Sequence, residues 1–390
     1  MSPEAVSPEE AAAAHARPLD QFLRGPELRE AARIMTICNA CRYCEGLCAV
    51  FPAMEMRRDF AAGDLRHLAN LCHACGACYH DCQYAPPHEF GVNVPRTLEA
   101  LRPVAYADHA WPRALAPMFN RNGPKIIALT AISVAVFLFA FMAFADPGVM
   151  FGVVEGPGAF YAIMPHNAMA GLFGAAFLWS ILAFFMGFRN YWRDVEGGLG
   201  PTLGRGPDLA ALAAGGQDAG RLKNLHGGGM GCFNEDDQPT DNRRLLHHLT
   251  FYGFLACLAS TTCATAMHYV LGWEAPYSWG SAPVLLGFFG GAAMTVGAVG
   301  LARARMRREG ALTDPAGGMH AAFTHSLAAV GATGIALLLL RSTPAMGTLL
   351  ALHLGVVFAF FVAAPYGKFV HGLYRYLALV RHAQETRTHH

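Results

Sequence analysis

Eight thiols in two identical spacings carry the most specific chemistry in this chain. Cys38, Cys41, Cys44 and Cys48, then Cys72, Cys75, Cys78 and Cys82, each form a C-x2-C-x2-C-x3-C run. Three thiolates set two residues apart can hold three irons of one cubane, while the fourth, offset by three residues, is free to reach a neighbouring cluster. The spacing predicts two [4Fe-4S] clusters with crossed ligation: Cys38, Cys41 and Cys44 completed by Cys82, and Cys72, Cys75 and Cys78 completed by Cys48. The competing readings are structural zinc sites, which present thiolates as separated C-x2-C pairs rather than triplets, and a disulfide framework. Ala49 and Gln83 stand where bacterial ferredoxins carry a proline after the fourth cysteine, with Pro52 and Pro86 following soon after. That departure weakens fold analogy without touching the ligand set.

Histidines supply a second chemistry. Eight of the eighteen fall in or at the ends of long apolar runs, where a polar imidazole is costly and usually functional. Given the topology below, His166, His268 and His353 lie toward one membrane face, and His247, His248, His320, His325 and His371 toward the other. Haem b takes two axial imidazoles from facing helices, so two histidine layers suit one or two haems. His353 and His371 are eighteen positions apart, five turns of one helix, which places them on one face about 27 Å apart. His247 and His268 are twenty-one apart and roughly 60° out of phase. The working assignment pairs His268 with His353 for an outer haem, and His371 with His247 or His248 for an inner one. His166 and His325 stand in reserve. The competing reading makes each an interfacial, hydrogen-bonded histidine. Cys257, Cys263 and Met294 read as packing residues.

The elements that must position these groups are helices in a bilayer. Hydrophobic residues make up 54% of the chain, charged residues 15%, and mean hydropathy is +0.28, far from the balance of a soluble domain. Runs near the roughly 20 residues needed to cross about 30 Å of hydrocarbon fall at about 126–145, 166–188, 249–271, 282–302, 321–340 and 347–367. Arg121 and Lys125, Arg189 and Arg193, Arg243 and Arg244, Arg303 to Arg308, and Lys368 with Arg375 all flank one side, which predicts that side as cytoplasmic, with both termini inside. Trp273, Tyr277 and Trp279 fall at the opposite boundary, where amphipathic aromatics anchor spans.

The expected fold is mainly α: a cytoplasmic α-helical, ferredoxin-like two-cluster domain over 1–120, then a six-span bundle of cytochrome b type over 121–380. A cytoplasmic loop occupies 189–247, and 381–390 forms a tail. The start, Met1 to Glu10, is acidic and unlike a signal peptide. Eight of eleven cysteines sit in the motifs, and a reducing compartment favours metal ligation over disulfides. The net charge of +1 argues against a nucleic-acid partner. Within the loop, the stretch Gly227 to Asp237, Gly-Gly-Gly-Met-Gly-Cys-Phe-Asn-Glu-Asp-Asp, reads first as a flexible connection and second as a segment that docks a partner or the cluster domain. It is no phosphate-binding loop.

The tandem motifs Cys38 to Cys48 and Cys72 to Cys82, the segment Gln83-Tyr84-Ala85-Pro86-Pro87-His88-Glu89-Phe90, and Arg243-Arg244-Leu245-Leu246-His247-His248 resemble the tricarballylate-utilisation B, or citrate-utilisation B, family over nearly the whole chain. The membrane half also resembles cytochrome b subunits of nitrate reductases. The family resemblance implies a partner, a soluble FAD-dependent dehydrogenase that oxidises tricarballylate to cis-aconitate. Its reduced flavin would be reoxidised here and the electrons passed through clusters and haem b to membrane quinone. The chain has no dinucleotide fingerprint of its own, as suits a protein whose flavin lies elsewhere. Alternatives are a quinone-linked reductase subunit for another flavoprotein, a membrane iron-sulfur redox sensor without haem, and a tricarboxylate transporter. The last should show broken helices or intramembrane arginine, and the spans hold almost no basic residue. No quinone pocket is legible, although His166 or His325 could serve its proton chemistry.

Overall fold

The computed structural model describes residues 23–201, 206–229, 231–235, 238–307 and 318–389. The acidic start Met1 to Glu10, the loop residues Met230, Asp236 and Asp237, Arg308 of the basic cluster, and His390 of the tail lie outside them. The fold is mainly helical, and among the described residues six helices are long and apolar enough to cross a membrane.

Two compact units divide the chain. One gathers the N-terminal region through Ala105, Asn190–Gly229 and Tyr374–His390; the other holds Tyr106–Arg189 and Met230–Leu373. These units cut across the boundaries expected from sequence, because segments that read as loop and tail carry structure of their own and pack within the first unit.

In the first unit, α1 (Pro26–Cys41) opens with proline in its first turn, where a missing N–H costs nothing, and buries Leu28, Ala31, Ile34 and Met35. Arg42, in the left-handed region at φ 55°, ends it and turns the chain into the first cysteine loop. Next come α2 (Val50–Glu55) and α3 (Ala62–Leu71), whose Asp64 accepts from the Ala61 N–H at 3.0 Å and so caps its own helix. The short α4 (Ala77–His80) starts after left-handed Gly76, and α5 (Val94–His109) enters the unit with its first three turns. The end of α8 (His166–Glu196), α9 (Leu209–Arg221, capped by Asp208 Oδ1 on the Ala211 N–H) and most of α14 (Val370–His389) complete it. α9 and α14 approach closely, since a Cβ on Gly215 would stand 2.8 Å from Val380.

The second unit contains α6 (Asn122–Phe144), the short α7 (Pro147–Met150), α8 up to Arg189, a two-stranded antiparallel hairpin of β1 (Cys232–Glu235) and β2 (Gln238–Thr240), α10 (Asn242–Leu271), α11 (Ala282–Met306), α12 (Met319–Leu339) and α13 (Met346–Ala363). α10 packs on α11, α11 on α12, and α13 on both α12 and α6. Small residues make these approaches possible. A Cβ on Gly253 would lie 2.5 Å from the Met294 backbone nitrogen, one on Gly297 2.6 Å from the Leu246 carbonyl, and one on Gly355 2.6 Å from Val134 Cα. In lipid, where apolar burial does not drive helix association, such close backbone packing does. Outward faces remain apolar and exposed, with Phe139, Phe144, Ile127 and Phe185 among them, as a hydrocarbon surround requires. At one end of the bundle Arg341 donates to the Tyr277 carbonyl at 2.7 Å and lies over the Trp279 ring.

The sixth span departs from the continuous helix on which the His353–His371 phase argument rests. α13 stops at Ala363, a 3-10 turn (Ala364–Tyr366) follows, Gly367 is extended, and α14 starts at Val370. Pro365 lies in that turn and has no N–H to continue the ladder. The five-turn register between the two histidines therefore does not hold.

Candidate functional site

The first cysteine loop is built from tight local turns. Arg42 N–H bonds the Cys38 carbonyl at 2.8 Å and Leu47 N–H the Cys44 carbonyl at 3.0 Å, curling the thiols inward. Cys38, Cys41, Cys44, Cys78 and Cys82 together line a cavity of about 420 Å³, partly open, with Ile37, Phe51, Tyr84, Val92 and Val94 as apolar wall. Burial, then the mutual repulsion of Cys44, Cys82 and Cys41, pushes the Cys38 thiol up to about 12. Burial, then Cys82 and Cys41, does the same for Cys44. In the other group, burial and then Cys75 and Cys72 raise Cys48, while burial and then Cys75, Cys48 and Cys72 raise Cys78. Cys82 thus stands among the thiols of the first motif and Cys48 among those of the second. Thiols crowded in this way can all ionise only with cations between them.

Among the described residues no three histidine, cysteine or acidic side chains converge on a single ion. Two tandem runs of four thiols are a donor set that fits iron-sulfur clusters.

Residues that sequence reasoning did not assign to the site surround the second group. Arg102 and Arg375 both donate to the Cys72 carbonyl, and Arg375 Nη1 lies 2.5 Å from His73 Nδ1. Burial raises the Cys72 thiol, and Arg102 opposes that rise. Ala74 N–H points at Cys72 Sγ at 3.2 Å. Nearby positive charge and N–H···S contacts of this kind tune cluster potentials. The sequence signal for Arg375 was its place in a basic group, read only as a topology marker. The glycine run also proves structural. Gly227 and Gly228 have φ of 53° and 71°, and a Cβ would stand 2.8 Å from Ala77 Cβ at the first and 3.1 Å from Leu47 at the second, with Cys75 Sγ at 4.0 Å from the first. Only glycine lets this backbone cover both cysteine loops.

In the second unit the rings of His247 and His371 meet edge-on, with centroids 6.2 Å apart and planes at 74°. Two imidazoles that each bonded one metal at about 2 Å would have centroids roughly 6 Å apart, and the separation of this pair matches that distance. His371 Nδ1 lies 2.6 Å from the Lys368 carbonyl, which can only accept, so Nδ1 carries the proton and Nε2 is left for a metal. The outer pairing is not brought together in this way. His268 stacks on His166, centroids 3.7 Å apart, while His353 Nδ1 meets Thr333 Oγ1 at 3.0 Å; no ring contact joins His268 to His353 among the described residues. His248 packs beside Tyr252. His325 is exposed, its Nδ1 on the Ala321 carbonyl, and His320 is buried between Arg305 and Lys368.

Compared with known proteins, residues 119–390 match the family described as citrate utilization protein B, and residues 31–108 match the Fer4-like domain of that family. The citrate utilization protein B of Escherichia coli is 44% identical over 371 residues, covering 94% of each chain. No solved structure matches.

Proposed function

The chain belongs to the citrate utilization protein B family, and from that premise we propose that it is the membrane electron-transfer partner of a soluble FAD-dependent dehydrogenase, tricarballylate dehydrogenase by the resemblance. Two [4Fe-4S] clusters and one or two haem b groups would supply one-electron carriers between the reduced flavin and the quinone of the inner, cytoplasmic membrane. Cys38, Cys41, Cys44 and Cys82 would hold one cluster; Cys72, Cys75, Cys78 and Cys48 the other. His371 and His247 would hold a haem, with His248 in reserve, and His268, His353, His166 or His325 remain for a second. By the positive-inside rule the basic helix ends would put the two-cluster domain, the long connection after α8 and both termini on the cytoplasmic side, where a soluble flavoprotein could reach them.

The observation that carries the reading is the cavity ringed by thiols of both motifs. The chain's own residues do the rest of the work. Apolar side chains around that cavity exclude water, Arg102 and Arg375 set positive charge beside Cys72, and the Lys368 carbonyl orients His371. Optical and EPR spectra of the purified protein, before and after adding the reduced dehydrogenase, test the proposal. Haem b bands and two interacting cluster signals that respond to the partner are expected. Cys82→Ser should remove the first cluster and Cys48→Ser the second. His371→Ala or His353→Ala should change the haem band, and an unchanged band in both would sink the histidine assignment. Clusters without any haem would put a redox sensor in its place.

A further inference from the structure

The second unit holds one pocket whose chemistry the clusters and haem do not use. It is a half-open cleft of about 340 Å³, open solvent included, between α6, α12, α13 and the turn after α13, and its wall includes Asn122, Thr130, Phe323, Ala363, Gly367 and Lys368. Most of the wall is apolar. Two of its polar side chains are more than nine-tenths buried: Asn122 is 2% exposed and Lys368 8%. The Asn122 amide nitrogen donates to the Met118 and Tyr366 carbonyls, which fixes the side chain and turns Oδ1 toward Gly367. That oxygen is buried and has no hydrogen-bond partner. A buried acceptor left open in this way costs free energy unless a ligand donates to it. Lys368 Nζ lies 3.1 Å from His320 Nε2, and Arg305 Nη1 lies 2.6 Å from His320 Nδ1.

From these residues we propose that this pocket is the quinone site, with Lys368 donating to one quinone oxygen and Asn122 Oδ1 accepting from the hydroxyl formed on reduction. The inference rests on the electron-transfer reading above. A lipid phosphodiester offers acceptors alone, which would satisfy Lys368 but not Asn122 Oδ1, whereas a quinone alternates between acceptor and donor at its two oxygens in an apolar slot. Position agrees with role: the Phe323 ring that forms one wall also packs on His371, centroids 5.7 Å apart. The step balances as one quinone plus two electrons from the reduced flavin and two protons from water, giving one quinol with two new O–H bonds. Both protons are taken up from water, and Lys368 Nζ and Asn122 Oδ1 hold the two oxygens that receive them. His166 and His325, the candidates raised by sequence, do not line the pocket.

The test uses the full-length protein in lipid nanodiscs. A photoreactive azidoquinone should label peptides within 122–130, 319–326 or 359–369 of the wild-type chain; labelling confined to other segments overturns the proposal. Titration with the fluorescent quinone analogue 2-heptyl-4-hydroxyquinoline N-oxide should show affinity at least tenfold weaker in Asn122→Leu and Thr130→Phe, and wild-type affinity in both overturns it as well. Quinol formation with the reduced flavoprotein separates the two levels. Label in the pocket without quinol formation keeps the site and defeats the electron-transfer reading, while quinol formation with label elsewhere does the reverse.

Discussion

Replacing Arg57 by methionine should cost the first unit about 3–5 kcal/mol, the usual penalty for breaking a buried ion pair by removing one partner. The magnitude follows from what is left behind. Arg57 Nε bonds Asp64 Oδ1 at 2.7 Å, Nη2 bonds Glu385 Oε1 at 2.6 Å, and all three side chains are fully buried. Without the guanidinium, two carboxylates face one another in a water-free interior. The cost is not doubled, because Glu385 keeps Arg381 at 2.8 Å and Asp64 keeps the Ala61 and Leu199 N–H groups at 3.0 and 2.7 Å. Against a domain stability of about 5–15 kcal/mol, that is about a fifth or more. Urea unfolding followed by bleaching of the cluster absorbance should move its midpoint down by about 2 M for a slope near 2 kcal/mol per molar. The quadruple variant Arg57→Met, Asp64→Leu, Arg381→Met, Glu385→Leu, which removes the charges of all four side chains, should recover most of the loss. A single variant within about 1 kcal/mol of wild type would refute the buried network and with it the packing of α14 in this unit.

Burial holds His67 below its ordinary value, so the folded state refuses a proton that the unfolded chain accepts. Stability should therefore fall as pH drops below about 6.5, by up to about 1.4 kcal/mol per unit, and His67→Gln should flatten that slope in urea titrations across pH 5–7. Gly227→Val must fit a branched side chain at φ 53° against Ala77; a cost of about 2–4 kcal/mol should appear as faster chelator-driven loss of the cluster held by the second motif. In the bundle, Gly253→Leu drives a side chain into the backbone of α11 and should lower resistance to dodecyl sulfate unfolding, read by circular dichroism, by about 1–3 kcal/mol. Gly253→Ala should fall between, and equal stability of all three would contradict the close α10–α11 approach.

Much of this protein is legible in local spacing. The cysteine runs name their metal chemistry because a cubane constrains residues only a few positions apart, and six helices follow from the length of hydrocarbon that an apolar run must cross. The helices found at Asn122–Phe144, Ala282–Met306 and Met319–Leu339 lie within a few residues of the runs read from composition. The break in the sixth span has a local signal as well: Pro365, lacking an N–H, lies where eighteen residues form two separate helices rather than five continuous turns. Other features depend on which distant segments meet. Arg57 and Glu385 are 328 positions apart, Arg375 reaches Cys72 across 303, and the glycine run that looks like a linker lies over both cysteine loops. The same holds for the pocket of Asn122 and Lys368, whose members looked like a helix start and a topology marker. Spacing along the chain determines what each segment is able to form; which charges and polar atoms become buried partners is decided only when packing removes water from between them.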